Sequence, residues 1–100
     1  MQPATIGRVV HVLVNPNTNN GSDVAPALVV RAWGDPYTAA HDDLGERQTV
    51  NVRVLLDQAE TPWLTSIALF AERPADEHLA ATNQYNPHGY NAIAFWPPRD

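Results

Sequence analysis

The chain is one hundred residues long, 44% hydrophobic, free of cysteine, and carries a formal net charge of −5 at pH 7. These figures fit one globular domain over residues 1–100 and exclude disulfide bonds, thiolate chemistry and cysteine-based metal sites. They also run against general nucleic-acid binding, which draws on a basic surplus, and against disorder, which goes with low hydrophobicity and high charge.

Apolar residues alternate with polar ones in several stretches, the pattern of half-buried strands. The first covers residues 6–14. Arg8, Val10, Val12 and Val14 fall on one side, and Gly7, Val9, His11 and Leu13 on the other. Both sides are largely apolar, which predicts cover on both faces for part of the length. Asn15-Pro16 ends this strand. A polar loop follows over 17–23, with Asn and Gly residues that tolerate left-handed backbone.

The second strand is predicted over 27–33, closed by Gly34-Asp35-Pro36. Simple alternation puts Leu28, Val30 and Ala32 on one face and Ala27, Val29, Arg31 and Trp33 on the other. Residues 37–47 then read as a connection, with Gly45 as a turn residue. In the third strand Val50, Val52, Val54 and Leu56 point inward, and Thr49, Asn51, Arg53 and Leu55 outward. Its β-branched residues are stiff at χ1 and fit a pleated surface.

Residues 57–60 lead into a fourth strand over 63–70. Pro62 suits the start of that strand and not its middle. The alternation breaks over 71–90. Pro74, Asp76 and Glu77 stand where a helix N-terminus favours proline and acid, so one short helix near 75–82 is one reading and an irregular loop the other. The last strand covers 92–96 and stops at Pro97-Pro98. About five short strands predict a mainly β fold, a small antiparallel barrel or roll of the SH3-like type. A two-layer sheet carrying one helix is the alternative.

Chemistry is sparse. His41-Asp42-Asp43 and Asp76-Glu77-His78 set imidazole beside carboxylate, but their spacing matches no zinc or calcium motif, so no metal and no cofactor is expected. The only serines are Ser22 and Ser66, with no Gly-x-Ser-x-Gly, and no glycine-rich loop opens a helix. A non-enzymatic protein is therefore expected.

Two surfaces remain. Arg8, Arg31 and Arg53 sit in or beside strands, where the sheet can hold a guanidinium fork for carboxylate or phosphate. The plainer reading is a salt bridge, or a stem covering the barrel. Trp33, Trp63 and Trp96 lie at or near strand ends, where core-lid packing is their commonest role. Tyr37, Tyr85 and Tyr90 are placed in loops. Tyr85 and Tyr90 belong to an Asn-, His- and Gly-rich stretch of the composition that binding loops use.

Gly7-Arg8-Val9-Val10-His11, the run from Pro26 to Trp33, the run from Val50 to Asp57, Trp63-Leu64-Thr65-Ser66 and Phe95-Trp96-Pro97-Pro98-Arg99 form an ordered set. In that order they resemble small proteins encoded by tailed phages of actinobacteria, most of unassigned function. The resemblance spans the strands and not the loops. Here Phe95 stands where the family more often has a second tryptophan, and residues 71–91 are long for it. The resemblance implies a phage origin and two roles. One is a host-directed or counter-defence binding protein in the host cytoplasm, taking a host protein or a small nucleotide-like ligand. The other is a virion accessory protein that binds other virion proteins. Neither involves a membrane, and either admits a homo-oligomer. Sequestration predicts a concave pocket holding one of the three arginines with a tryptophan. A virion role predicts flat apolar patches.

Overall fold

The computed structural model describes residues 1–38, 40, 45–75 and 93–98. The strands are β1 (Val9–Leu13), β2 (Val24–Thr38), β3 (Glu46–Val54), β4 (Trp63–Phe70) and β5 (Ile93–Phe95), and a 3-10 turn (Pro16–Thr18) follows β1. They close into a barrel in the order β1-β2-β3-β4-β5. The expected small five-strand barrel is thus the fold. The segment considered for a helix near 75–82 lies almost wholly outside the described residues.

Four of the five seams are antiparallel, and β4·β5 is parallel. Parity requires this. An odd number of strands cannot alternate in direction around a closed ring, so at least one seam must be parallel. Parallel neighbours cannot be joined by a tight hairpin and need a crossover of about a dozen residues or more. The parallel seam falls where the sequence has its longest connection, residues 71–92. The length of this stretch, long for the family it resembles, therefore has a topological cause.

The lumen is filled by Val10, Val12, Val14, Ala25, Ala27, Val29, Val50, Val52, Val54, Leu56, Ile67, Leu69 and Ala94, all buried. Valine and alanine dominate because a small closed barrel leaves little room per inward side chain. Gln48 is buried among them. Its Oε1 accepts from the Ala4 amide at 2.7 Å, and its Nε2 donates to the Gly34 carbonyl at 3.0 Å. It thereby pins the N-terminal segment and β2 to β3.

A second apolar cluster lies on the outside of the wall. Leu13, Phe70, Ile93 and Phe95 are buried together there, with Val24 and Ala68 against them. This is the two-sided cover that the first strand's pattern predicted. His11, on the same face, meets the Phe95 ring edge-on at 5.7 Å between centroids.

β2 and β3 are longer than simple alternation suggested. β2 runs on through Gly34-Asp35-Pro36 to Thr38, and β3 begins at Glu46. The strand survives Pro36 because a register shift between Trp33 and Tyr37 takes that stretch out of the regular ladder. Gly34 has φ +66 there, and a Cβ added to it would meet nothing within 4 Å. The cost of a side chain is then that of left-handed backbone alone, so Gly34→Ala should lose roughly 1–2 kcal/mol. Urea unfolding checks this, with a lowered midpoint at an unchanged slope as the expected result.

Candidate functional site

The outer face of β2, β3 and β4 is built around two bulges. On β2, Val29 pairs with Val52 but Arg31 pairs with Asn51, so Val30 is extra. On β4, Leu64 pairs with Val52 and Ile67 with Val50, so Thr65 and Ser66 both lie against Asn51. An extra residue reverses the in-and-out order of everything beyond it. This corrects the face assignment for the second strand. Ala27 and Val29 line the lumen, but Arg31 and Trp33 do not share their side. They stand outward with Leu28, while Ala32 packs against the core.

The bulge on β4 takes the Ser66 amide out of the regular ladder, and Ser66 adopts φ +55. Asn51 compensates. Its Oδ1 accepts from the Ser66 amide at 2.7 Å, from Thr65 Oγ1 at 3.2 Å and from Trp33 Nε1 at 3.0 Å. Asn51 is buried in spite of its outward register, being covered by the groups it binds. It is the residue that the reading of candidate sites missed. The available signal was an amide set between Val50 and Val52 in an otherwise β-branched strand.

Trp33 is held at its nitrogen by Asn51 and over its ring by Arg31, whose guanidinium carbon lies 3.6 Å from the ring centroid. Trp33 as a whole is still 42% exposed. Tyr37 is exposed on the same face, its hydroxyl 3.4 Å from Thr49 Oγ1. It lies in β2, which corrects its placement in a loop. Arg53 pairs with Leu28 on one side and Trp63 on the other, and Trp63 is 52% exposed. Trp33 sits well inside β2 and not at its end, and neither of these two tryptophans serves as a core lid.

Arg8 and Trp96 form a separate pair, with the Arg8 guanidinium 5.5 Å from the ring centroid. Trp96 Nε1 donates to the Gln2 carbonyl at 3.0 Å. Trp96 also lines an open groove of about 640 Å³ with Met1, Arg73, Phe95, Pro97 and Pro98. Arg73 there pairs with Asp23 at 3.0 Å.

The three predicted arginines are each placed beside a tryptophan: Arg8 by Trp96, Arg31 by Trp33 and Arg53 opposite Trp63. The first pair lies apart from the other two. Among the described residues none of the three meets a carboxylate. Tyr85 and Tyr90 fall outside the described residues, as do Asp42, Asp43 and the 76–78 acid and imidazole cluster. Among the described residues no group of three His, Asp or Glu side chains could hold a metal ion. None of their helices is long and apolar enough to cross a membrane. No protein-family model, curated protein sequence or solved structure matches the chain.

Proposed function

We propose that this is a binding protein rather than an enzyme, and that it docks another protein on the outer face of β2, β3 and β4. The observation that carries this reading is the fixed Trp33, tied at its indole to Asn51 and stacked by Arg31 yet 42% exposed. Tryptophan, tyrosine and arginine are the residues that dominate binding energy at protein interfaces. An anchor that is ordered before binding loses little entropy on association. Here one small sheet face carries Trp33, Tyr37, Trp63, Arg31 and Arg53 together. The exposed Val30 and Leu55 add apolar surface nearby.

The resemblance to phage proteins makes a host factor the partner, with a role against host defence. Sequestration of a nucleotide-like ligand has less support, because Arg31 and Arg53 stand on the open wall and not around a cavity. The same flatness favours a second reading, a virion accessory protein fixed through this face.

The docking reading predicts that Trp33→Ala and Trp63→Ala each weaken capture of the partner by about tenfold or more, the cost typical of a central anchor. The measurement is affinity capture from phage-infected host extract and from purified virions, with mass spectrometry of what is retained. Capture unchanged by both substitutions would remove this face from the function. A partner found only in virions would select the second reading.

A further inference from the structure

The docking reading leaves the partner's chemistry open, and the placement of Arg31 and Arg53 narrows it. We propose that the face takes an extended, acidic protein segment whose two carboxylates stand two residues apart.

Arg31 pairs with Asn51 across β2·β3, and Arg53 lies two residues further along β3 on the same outward side. The two arginines are therefore diagonal neighbours, at about 7–8 Å between Cα positions. Side chains two apart on one side of an extended strand are about 6.6–6.8 Å apart. An extended segment laid on the face can thus offer one carboxylate to each guanidinium without bending.

Arg31 is prepared for this role. Stacking on Trp33 uses the face of the guanidinium and leaves its in-plane N–H donors at the edge, the geometry that grips a carboxylate at two points. The strand residues around the pair, Leu28, Trp33, Thr49, Asn51, Trp63, Thr65 and Ser66, include no carboxylate. This patch is locally basic on a chain of net charge −5. At physiological salt the screening length is about 8 Å, which limits the reach of acidic residues outside the patch, Asp35 beyond Trp33 on β2 being the next along that strand. Trp33 and Trp63 flank the two arginines and supply apolar contact for the residues between and beside the acids.

The occupant is not a second copy of this chain. Its eleven acidic residues include no two that are separated by one residue. A nucleic acid is less well matched, since two arginines neutralise too few phosphates for appreciable affinity.

The test uses two blocked peptides of one composition, Thr-Glu-Thr-Glu-Thr and Thr-Thr-Glu-Glu-Thr, with oligothymidylate as a third probe. Each is titrated into nitrogen-labelled protein while the Arg31 and Arg53 Nε–H and Trp33 Nε1–H resonances are followed. The alternating peptide is expected to shift all three signals and to bind about tenfold more tightly than its isomer. Arg31→Gln and Arg53→Gln should each abolish the difference. Arg53→Lys, which keeps the charge but loses the fork, should restore part of it. The unchanged Trp33 indole signal in Arg53→Gln will show that the face is still folded. Equal binding of the two isomers, no shift at millimolar peptide, or tighter binding of oligothymidylate would each overturn the proposal. So would loss of partner capture in Trp33→Ala together with full capture in both glutamine variants, a result that leaves the docking reading itself intact.

Discussion

Asn51→Ala is expected to destabilise the barrel by about 3 kcal/mol and to release the Trp33 indole. One oxygen now serves three donors, the Ser66 amide, Thr65 Oγ1 and Trp33 Nε1. Each such bond contributes about 0.5–1.5 kcal/mol net, and all three, part-buried as they are, go at once when their shared acceptor is removed. The Ser66 amide carries most of the loss, because the bulge has already taken it out of the ladder and its left-handed backbone is held there by the Asn51 contact. Set against a typical total of about 5–15 kcal/mol, this is a large fraction from one surface-facing residue. Chemical unfolding measures the stability. The indole N–H resonance of Trp33 reports its release, moving toward the position of a solvent-exposed indole. A loss below about 1 kcal/mol with the indole unmoved would mean that Asn51 merely fills space.

Phe70→Ala is expected to cost about 3–5 kcal/mol, the range for deleting a buried aromatic ring. By register Phe70 points away from the lumen, so a barrel with one core would tolerate the change. Here Phe70 is 3% exposed and packs with Leu13, Ile93 and Phe95. The guanidinium of Arg47, itself buried, lies 4.8 Å from the Phe70 ring centroid. The contrast is with Leu55→Ala, where the residue is already 38% exposed and the loss should be well under half as large. Comparable costs at Phe70 and Leu55 would show that the outer cluster contributes no more than ordinary surface.

Much of the architecture was legible because it rests on short-range pattern. The inward set Val50, Val52, Val54 and Leu56 is buried as alternation requires, and the two apolar sides of the first strand do mark cover on both faces for part of its length, at Leu13 though not at Val9. Trp63–Phe70 was bounded by Pro62 on one side and lost alternation on the other. The errors lie along β2. A bulge adds one residue without any fixed sequence mark, and after it the period-two count is out of step. That is why Arg31 and Trp33 were assigned to the side of Ala27 and Val29. The early end of β2 comes from the turn-forming residues of its Gly-Asp-Pro run, which the second irregularity lets the strand absorb.

The candidate site divides the same way. That strand-borne arginines and tryptophans were its material could be read from residue type and position. Their partition into Arg31 with Trp33 and Arg53 opposite Trp63 could not, since it depends on which strands adjoin and in what register. Asn51 shows the limit most clearly. Its importance comes from the amide freed on the neighbouring strand; the amide between Val50 and Val52 marks the position without saying what it binds.

The parallel seam has a consequence for how the chain reaches this state. β1 through β4 can form by successive antiparallel pairings between neighbours in sequence. Closure cannot: His11 must find Phe95, and Phe70 must find the same residue from the other side. Such distant pairings pay loop-closure entropy before they return any contact energy, and they slow folding. β5 is therefore expected to be the last element fixed, while both strands that it joins wait with unpaired edges. Three residues, Ile93, Ala94 and Phe95, decide whether those edges are sealed within one chain or remain open to another.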